Sequence, residues 1–425
     1  MTVLALLALL GALILIGLPI AFALGLTGVA ALLSFGLPIA LVGQTLYGVL
    51  DNHAWAAIPL YLLMGSLLVS SGVASDIYRA VHVWTRHLPG GMGVATVLTA
   101  AVFAAVSGTS IGTVAAMASV TVPEMIARGY NPRFAYGTLA AAGTLGILIP
   151  PSITMIIFGM VTTESIATLF MAGVAPGILL AFLMCCYCVV YSRLWQKETL
   201  DAKAGWSERI AESRRAIWGV LLIVLVLGGI YSGALTVTES AGFGALLALA
   251  LSAFVYRSLT WPVLVDALEN TLLSSCMILL IVALASLFGS AVNMLHIPQD
   301  TSDAVLSLDI PVWGVIVLFS AILFVMGQFL DVPSIMLITL PIFYPALLSM
   351  GVSPVWFAIL MTMNMEVATI TPPVGLNIYV LKGAVPSAEV RDVVIGCVPF
   401  IGLIVAVMLL IAAFPCIALW LPGLC

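Results

Sequence analysis

Thr371-Pro372-Pro373-Val374-Gly375 stands 222 residues after Ile149-Pro150-Pro151-Ser152, and each double proline lies in the middle of an apolar stretch, 354–381 and 135–160. Adjacent prolines remove backbone donors and push the preceding residue out of helical geometry, so both stretches read as helices broken halfway along. The same shift of 222 sets Pro123 on Pro345, Gly129 on Gly351 and Pro132 on Pro354 without a gap. With only 22 prolines in 425 residues, coincidence is a poor account of this, although identity elsewhere in the window is negligible. An internal structural repeat is the better account.

The medium around that repeat follows from composition. The chain is 63% hydrophobic and 7% charged, against roughly a quarter charged in a soluble domain. Apolar runs recur at the length of about 20 residues that a helix needs to cross about 30 Å of hydrocarbon. Segments of about ten residues with alternating polarity, the mark of a membrane barrel, do not appear. The fold class is an all-α polytopic membrane protein. The net charge of −5 includes no basic stripe for nucleic acid. The N-terminus lacks a basic region and a cleavage site, so the first apolar run reads as a retained membrane segment. It divides at Gly17-Leu18-Pro19 or runs on as one tilted helix.

Two further stretches are interrupted. Residues 93–126 are broken by Ser107-Gly108-Thr109-Ser110-Ile111-Gly112, and 311–349 by Gly327-Gln328-Phe329-Leu330-Asp331-Val332-Pro333. The arms are too short to span, so each reads as a re-entrant helical hairpin preceding a broken helix. Arg79, Arg86, Arg128 and Arg133 flank the base of the first hairpin, while Asp300, Asp303 and Asp309 precede the second without a nearby cation. By the positive-inside rule the first base is cytoplasmic and the second periplasmic. Carrying the crossings forward places all thirteen basic residues inside, so the repeats have inverted topology. The expected divisions are scaffold helices in 1–75; a first transport half in 76–192, with its hairpin and broken helix; a cytoplasmic amphipathic linker in 193–215, lying along the membrane surface; scaffold helices in 216–295; and a second transport half in 296–425.

Unwound backbone at membrane depth is tolerated where it lines a cavity or is buried in protein. Freed carbonyls there can ligate a cation, and exposed helix N-termini suit a carboxylate. Ser107, Thr109, Ser110 and Thr113 add hydroxyl oxygens at the first tip; Asn364, Thr369 and Thr371 add oxygens beside the second break. Sodium, a hard cation, favours such a set. The plainer reading, in which small residues only let helices pack closely, serves for single positions better than for both constellations together. Asp331 and Glu366 are the acids placed near the second tip, and each reads either as a functional carboxylate or as an acceptor capping exposed N–H groups. Thr163-Glu164-Ser165 and Thr238-Glu239-Ser240 read as helix caps, and Glu124 as solvated. His53, His82, His87 and His296 read as surface residues, the seven cysteines as inert packing, and Gly90-Gly91-Met92-Gly93 as a flexible linker without phosphate-loop context.

The runs Ser107–Ser110, Gly129-Tyr130-Asn131-Pro132, Gly143-Thr144-Leu145-Gly146 and Ile149–Ser152 resemble the signature of the large membrane subunit of tripartite ATP-independent periplasmic (TRAP) transporters. So do Phe329-Leu330-Asp331, Pro341, Pro345, Gly351-Val352-Ser353-Pro354, Asn364 and Thr371–Asn377. Thr109-Ser110-Ile111-Gly112 departs mildly from the family, which often has a second serine and alanines there. The resemblance covers nearly the whole chain. It implies an elevator-type sodium symporter of the bacterial inner membrane, partnered by a small four-helix membrane subunit and a periplasmic substrate-binding protein, and carrying an organic acid such as a C4-dicarboxylate or sugar acid. The candidate substrate-binding residues are then Ser107, Gly108, Thr109, Ser110, Pro150, Pro151, Asp331 and Pro372. The candidate sodium ligands are Ser107, Thr109, Gly112, Gly143, Thr144, Gly327, Asp331, Asn364, Thr369, Thr371 and Gly375. A stand-alone sodium:carboxylate symporter is the alternative. An intramembrane enzyme would need a nucleophile with a base or a metal cluster, and a passive channel suits closed hairpin tips poorly.

Overall fold

The computed structural model describes residues 3–36, 38–196, 202–307 and 310–425; Asp309 and Lys197 lie outside them. The helices run in chain order as α1 Val3–Leu15, α2 Ile20–Ser34, α3 Ala40–Leu50, α4 Ala57–Ser71, α5 Val73–Thr85, α6 Gly91–Ser107, α7 Ser110–Ala127, α8 Pro132–Leu148, α9 Ile153–Thr162 and α10 Ile166–Trp195. After the connection come α11 Trp206–Tyr231, α12 Val237–Ala250, α13 Trp261–Met294, α14 Ile297–Ser307, α15 Val312–Gly327, α16 Val332–Ser349, α17 Pro354–Thr369, α18 Leu376–Ala384, α19 Val390–Ala413 and α20 Cys416–Leu419. Among the described residues nine helical segments are long and apolar enough to cross a membrane, and none is a strand.

The repeat read from the prolines is present in the helix boundaries. Shifted by 222, Ser110–Ala127 falls on the bounds of α16, and Pro132 on the first residue of α17. Gly129 and Gly351, which end equivalent hairpins, have φ values of 83° and 74°, the left-handed region where glycine costs least. Both Pro150-Pro151 and Pro372-Pro373 are cis. Each break separates two helices: α8 from α9, and α17 from α18.

Helix α8 is the hub, lying against α6, α7, α10, α17, α18 and α19. Gly137 of α8 and Gly396 of α19 let the two backbones touch, since a Cβ at either position would overlap the other helix's main chain; small residues serve this purpose in membrane packing. The repeats also interlock crosswise: hairpin arm α7 packs on α18, and arm α16 on α9. Around this body α2, α3, α4, α11, α12 and α13 pack mainly on one another, on α5 and, through α4 and α13, on hairpin arms α6 and α16.

Several expectations change. The first run is two helices, with Gly17 at φ 86° between them. Within the 193–215 segment, Arg193 lies in the last turn of α10, which ends at Trp195, and residues 206–215 are the opening turns of α11, continuous with its membrane span. His82 is buried and stacks on Tyr78 with ring centroids 6.0 Å apart, because α5 turns that face toward the neighbouring helices. Gly90 and Gly91 are wedged against the main chain of Cys188 and Thr85, so that linker is a packed crossing. Cys416 and Cys425 form a disulfide where inert thiols were expected, because a turn after α20 returns the C-terminus onto it; in the inverted topology this end is periplasmic, the compartment where disulfides persist.

Charge pairing follows the deduced cytoplasmic face. Arg133 binds Asp392 at 2.7 Å, joining α8 to α19, and Arg86 holds Glu208 through two contacts of 2.6 and 3.0 Å. Glu124 is solvated as expected and lies 3.6 Å from Arg128.

Candidate transport site

The first hairpin tip forms because Ser107 ends α6, Gly108 takes φ 63°, and Thr109 begins α7 as an N-cap whose Oγ1 accepts the Gly112 N–H at 3.1 Å. Ser107 Oγ lies 2.7 Å from Thr113 Oγ1 and donates to the Thr109 carbonyl at 3.1 Å. Thr113 donates to that carbonyl at 2.9 Å. The tip is sealed against the first broken helix: the Gly108 carbonyl accepts the Ile153 N–H at 3.3 Å, and a Cβ on Gly108 would come 2.9 Å from the Pro151 carbonyl oxygen. Gly143 and Gly146 of α8 bring that helix against Val114 and against the Thr109 carbonyl.

Of the first predicted set, Ser107, Gly108, Thr109, Ser110, Gly112, Gly143 and Pro151 therefore meet at one place. Pro150 is buried beside them in the break. Thr144 is buried on α8 and turns its hydroxyl to the Ala141 carbonyl of its own helix at 2.8 Å.

The second tip is built from Asp331, the N-cap of α16, whose side chain takes no backbone N–H. Its Oδ1 accepts the Ser334 hydroxyl at 2.6 Å, and its buried Oδ2 has no hydrogen-bond partner among the described residues. Gly327 lies against Ala368 of α17, and Gly375 begins α18 with φ 43°. Gly327, Leu330, Thr369, Val374 and Gly375 line a cavity of about 10 Å³, close to the space one water occupies. Asn364 and Thr371 turn elsewhere. The Asn364 amide donates to the Ser320 carbonyl of α15 at 3.1 Å, and Thr371 donates to the Val367 carbonyl at 2.6 Å. Pro372, Pro373 and Phe329 are exposed, so the second break lies open where the first is closed.

Neither acid caps a helix through its side chain. Glu366 is fully buried on α17 with both oxygens free of hydrogen bonds among the described residues. Ser165 does cap α10, whereas Glu164 accepts the Tyr344 hydroxyl of α16 at 2.9 Å, a bond between the repeats. The second cap is Thr236, in a capping box with Glu239.

Asn377, known from the sequence only by its place in the motif, links the two halves. It is fully buried on α18, its amide donates to Ser110 Oγ at 2.6 Å and to the Ala140 carbonyl at 2.9 Å, and its Oδ1 lies 2.9 Å from Ser110 Oγ. Its position two residues after Gly375 was the available signal. The first repeat has Met155 at the equivalent place.

Two larger cavities open near the deduced periplasmic face. One of about 470 Å³ lies among α3, α9, α13 and α16, with Asn52, Ser286, Ser290, Asn293 and Tyr344 on its walls. Another of about 510 Å³ lies beside Glu164 and Thr236. No hairpin-tip residue lines either, so the predicted substrate set and these two cavities do not coincide.

Four helices begin at the tips and breaks: α7, α9, α16 and α18. Each directs a positive dipole end toward mid-membrane. Among the described residues no group of three or more His, Cys, Asp or Glu side chains could hold a metal ion; the oxygens gathered at the tips are hydroxyls, carbonyls and the Asp331 carboxylate.

Residues 7–417 match the family described as "Tripartite ATP-independent periplasmic transporter, DctM component". The chain is 36% identical to the C4-dicarboxylate TRAP transporter large permease protein DctM of Rhodobacter capsulatus, covering 100% of this chain and 99% of that one. It is 35% identical to the protein of the same name from Pseudomonas aeruginosa, over 94% and 93% of the two chains. The crystal structure of the Alcanivorax borkumensis YdaH transporter shares the fold, with a TM-score of 0.61 at 16% identity over 90% of this chain and 87% of that one. The chain thus belongs to the DctM family: it is the large inner-membrane permease component of a TRAP secondary transporter, which works with a small membrane subunit and a periplasmic binding protein, and it is not an enzyme.

Proposed function

We propose that this permease couples inward movement of sodium to uptake of a small organic acid, with the hairpins and broken helices moving as one body against the surrounding scaffold. The observation that carries this reading is the convergence of four helix N-termini and two oxygen-rich breaks in a bundle interlocked through α8, α17 and the Ser110–Asn377 bond. Among the described residues no lysine or arginine lies at that depth, so the positive potential for an anion comes from helix ends and bound cations. Each end contributes about 0.3–1 kcal/mol, and up to about 2 when partly buried. Sodium binds at Ser107, Thr109, Gly112, Gly143 and Thr144 in the first half, and at the second tip and break, where Gly327, Thr369 and Gly375 share the small cavity. Asp331 completes the second set; Asn364 and Thr371 do not line that cavity, they donate to the Ser320 and Val367 carbonyls, and they would join it only through their remaining oxygen lone pairs. The carboxylate sits between the tips, and the ion and substrate each lower the cost of burying the other. The names of the relatives favour a C4-dicarboxylate, delivered by the binding protein to a complex whose small subunit has four helices.

Reconstituted with the small subunit and its cognate binding protein, the chain takes up labelled dicarboxylate under an inward sodium gradient without ATP. Equal uptake with potassium replacing sodium would falsify the coupling.

A further inference from the structure

Helix α11 spans 26 residues, about 39 Å at 1.5 Å per residue, longer than the hydrocarbon layer of about 30 Å. Measured from Tyr231, Arg214 lies about 26 Å along the axis and Arg209 about 33 Å, at the inner edge of the bilayer and in its headgroup layer. Residues 206, 210, 214, 217, 221 and 224 follow one another at intervals of three and four, so they share one face. Trp206, Ile210, Ile217, Leu221 and Val224 on that face are exposed large hydrophobics, and Arg214 interrupts the line, also exposed.

The arginines of this corner are not equivalent. Arg86 takes both oxygens of Glu208, and Arg215 lies 3.7 Å from Glu212. Arg209 and Arg214 have no carboxylate within ion-pair distance among the described residues. Arg209 is nonetheless held in place: its guanidinium carbon lies 4.8 Å from the Trp84 ring centroid and 5.5 Å from that of Trp206. Trp84 is fixed in turn by donating to Ser213 Oγ at 3.0 Å and meeting Trp206 edge-on at 6.0 Å. A guanidinium between two indoles, with a second cation five residues on, on the apolar stripe and without a carboxylate in reach among the described residues, matches a phosphate above acyl chains.

We propose that the cytoplasmic start of α11, together with Trp84, binds the headgroup of an anionic phospholipid. Arg209 and Arg214 face the phosphate, and the acyl chains lie along Ile217, Leu221 and Val224. Two surface cations without a carboxylate partner among the described residues favour an anionic over a zwitterionic lipid by about five-fold each, or roughly 30-fold together. The test is intact-mass measurement of lipids retained by the permease–small-subunit complex after exchange into phosphatidylglycerol or phosphatidylcholine. The wild type retains phosphatidylglycerol preferentially. Arg209→Gln with Arg214→Gln removes that preference, Trp84→Ala weakens it, and Arg79→Gln, which alters a paired surface arginine, leaves it unchanged. Equal retention of both lipids by the wild type overturns the proposal, as does undiminished preference in the double variant. Cross-linking of a photoreactive residue at position 217 to the small subunit instead of to lipid also overturns it.

Discussion

Gly146→Ala probes the packing of the first hairpin tip on α8. A Cβ at Gly146 would overlap the Thr109 carbonyl oxygen, lie 2.7 Å from its carbon and stand 3.0 Å from Thr113 Oγ1. Two of these atoms belong to the main chain, so no rotamer change relieves them. Restoring ordinary contact with the carbonyl oxygen, which begins at 3.4 Å, needs a displacement of about 1 Å between tip and helix. Overpacking of this kind costs about 1–3 kcal/mol, and rigid backbone places the cost in the upper half of that range. The alanine returns up to about 1 kcal/mol through helix propensity, leaving a net loss of about 1–2 kcal/mol. The shift also pulls Val114 and the Ser110 carbonyl from Gly143 and disturbs the hydroxyls of Ser107 and Thr113. Thermal unfolding of the purified complex and sodium-dependent uptake in proteoliposomes measure both effects. Gly402→Ala is the control, since nothing lies within 4 Å of its new methyl group; it melts at or slightly above the wild type, by the same helix-propensity gain of up to about 1 kcal/mol, and transports as the wild type does. If Gly146→Ala matched that control in melting temperature and in sodium dependence, the tip would not be seated on α8 as described.

Asn377→Ala removes the bonds to Ser110 and Ala140; at about 0.6 kcal/mol for a typical hydrogen bond within a membrane and up to about 1.7, the loss is roughly 1–2 kcal/mol, read as a lower melting temperature and slower uptake. Asp331→Ala takes away the unpartnered carboxylate oxygen at the second tip and weakens sodium dependence and transport together while the complex still assembles; unchanged sodium dependence of uptake would move the ion site elsewhere. In a background with Cys186 and Cys276 replaced by alanine, Asp303→Cys reacts with a membrane-impermeant thiol reagent from the periplasm and Ser207→Cys does not; labelling of both from one side would overturn the inverted topology.

The double prolines, the interrupted stretches and the placement of arginines determined the helical class, the repeat and its inversion by themselves. Each is a local property: a proline cannot donate wherever it stands, and a cation avoids hydrocarbon whatever lies beside it. The same locality put Ser107, Thr109 and Gly112 together, since they share one turn. Contacts between distant segments were decided only by the tertiary structure. Thr109 meets Gly146, Ser110 meets Asn377 and Tyr344 reaches Glu164 because the crossed packing of the two repeats brings together residues that no spacing relates. Asn364 and Thr371 turn to carbonyls because α15 and the last turn of α17 present acceptors within reach. His82 became buried, and Cys416 met Cys425, for the same reason: burial and pairing depend on which neighbour the folded chain supplies, while composition records only what each residue brings.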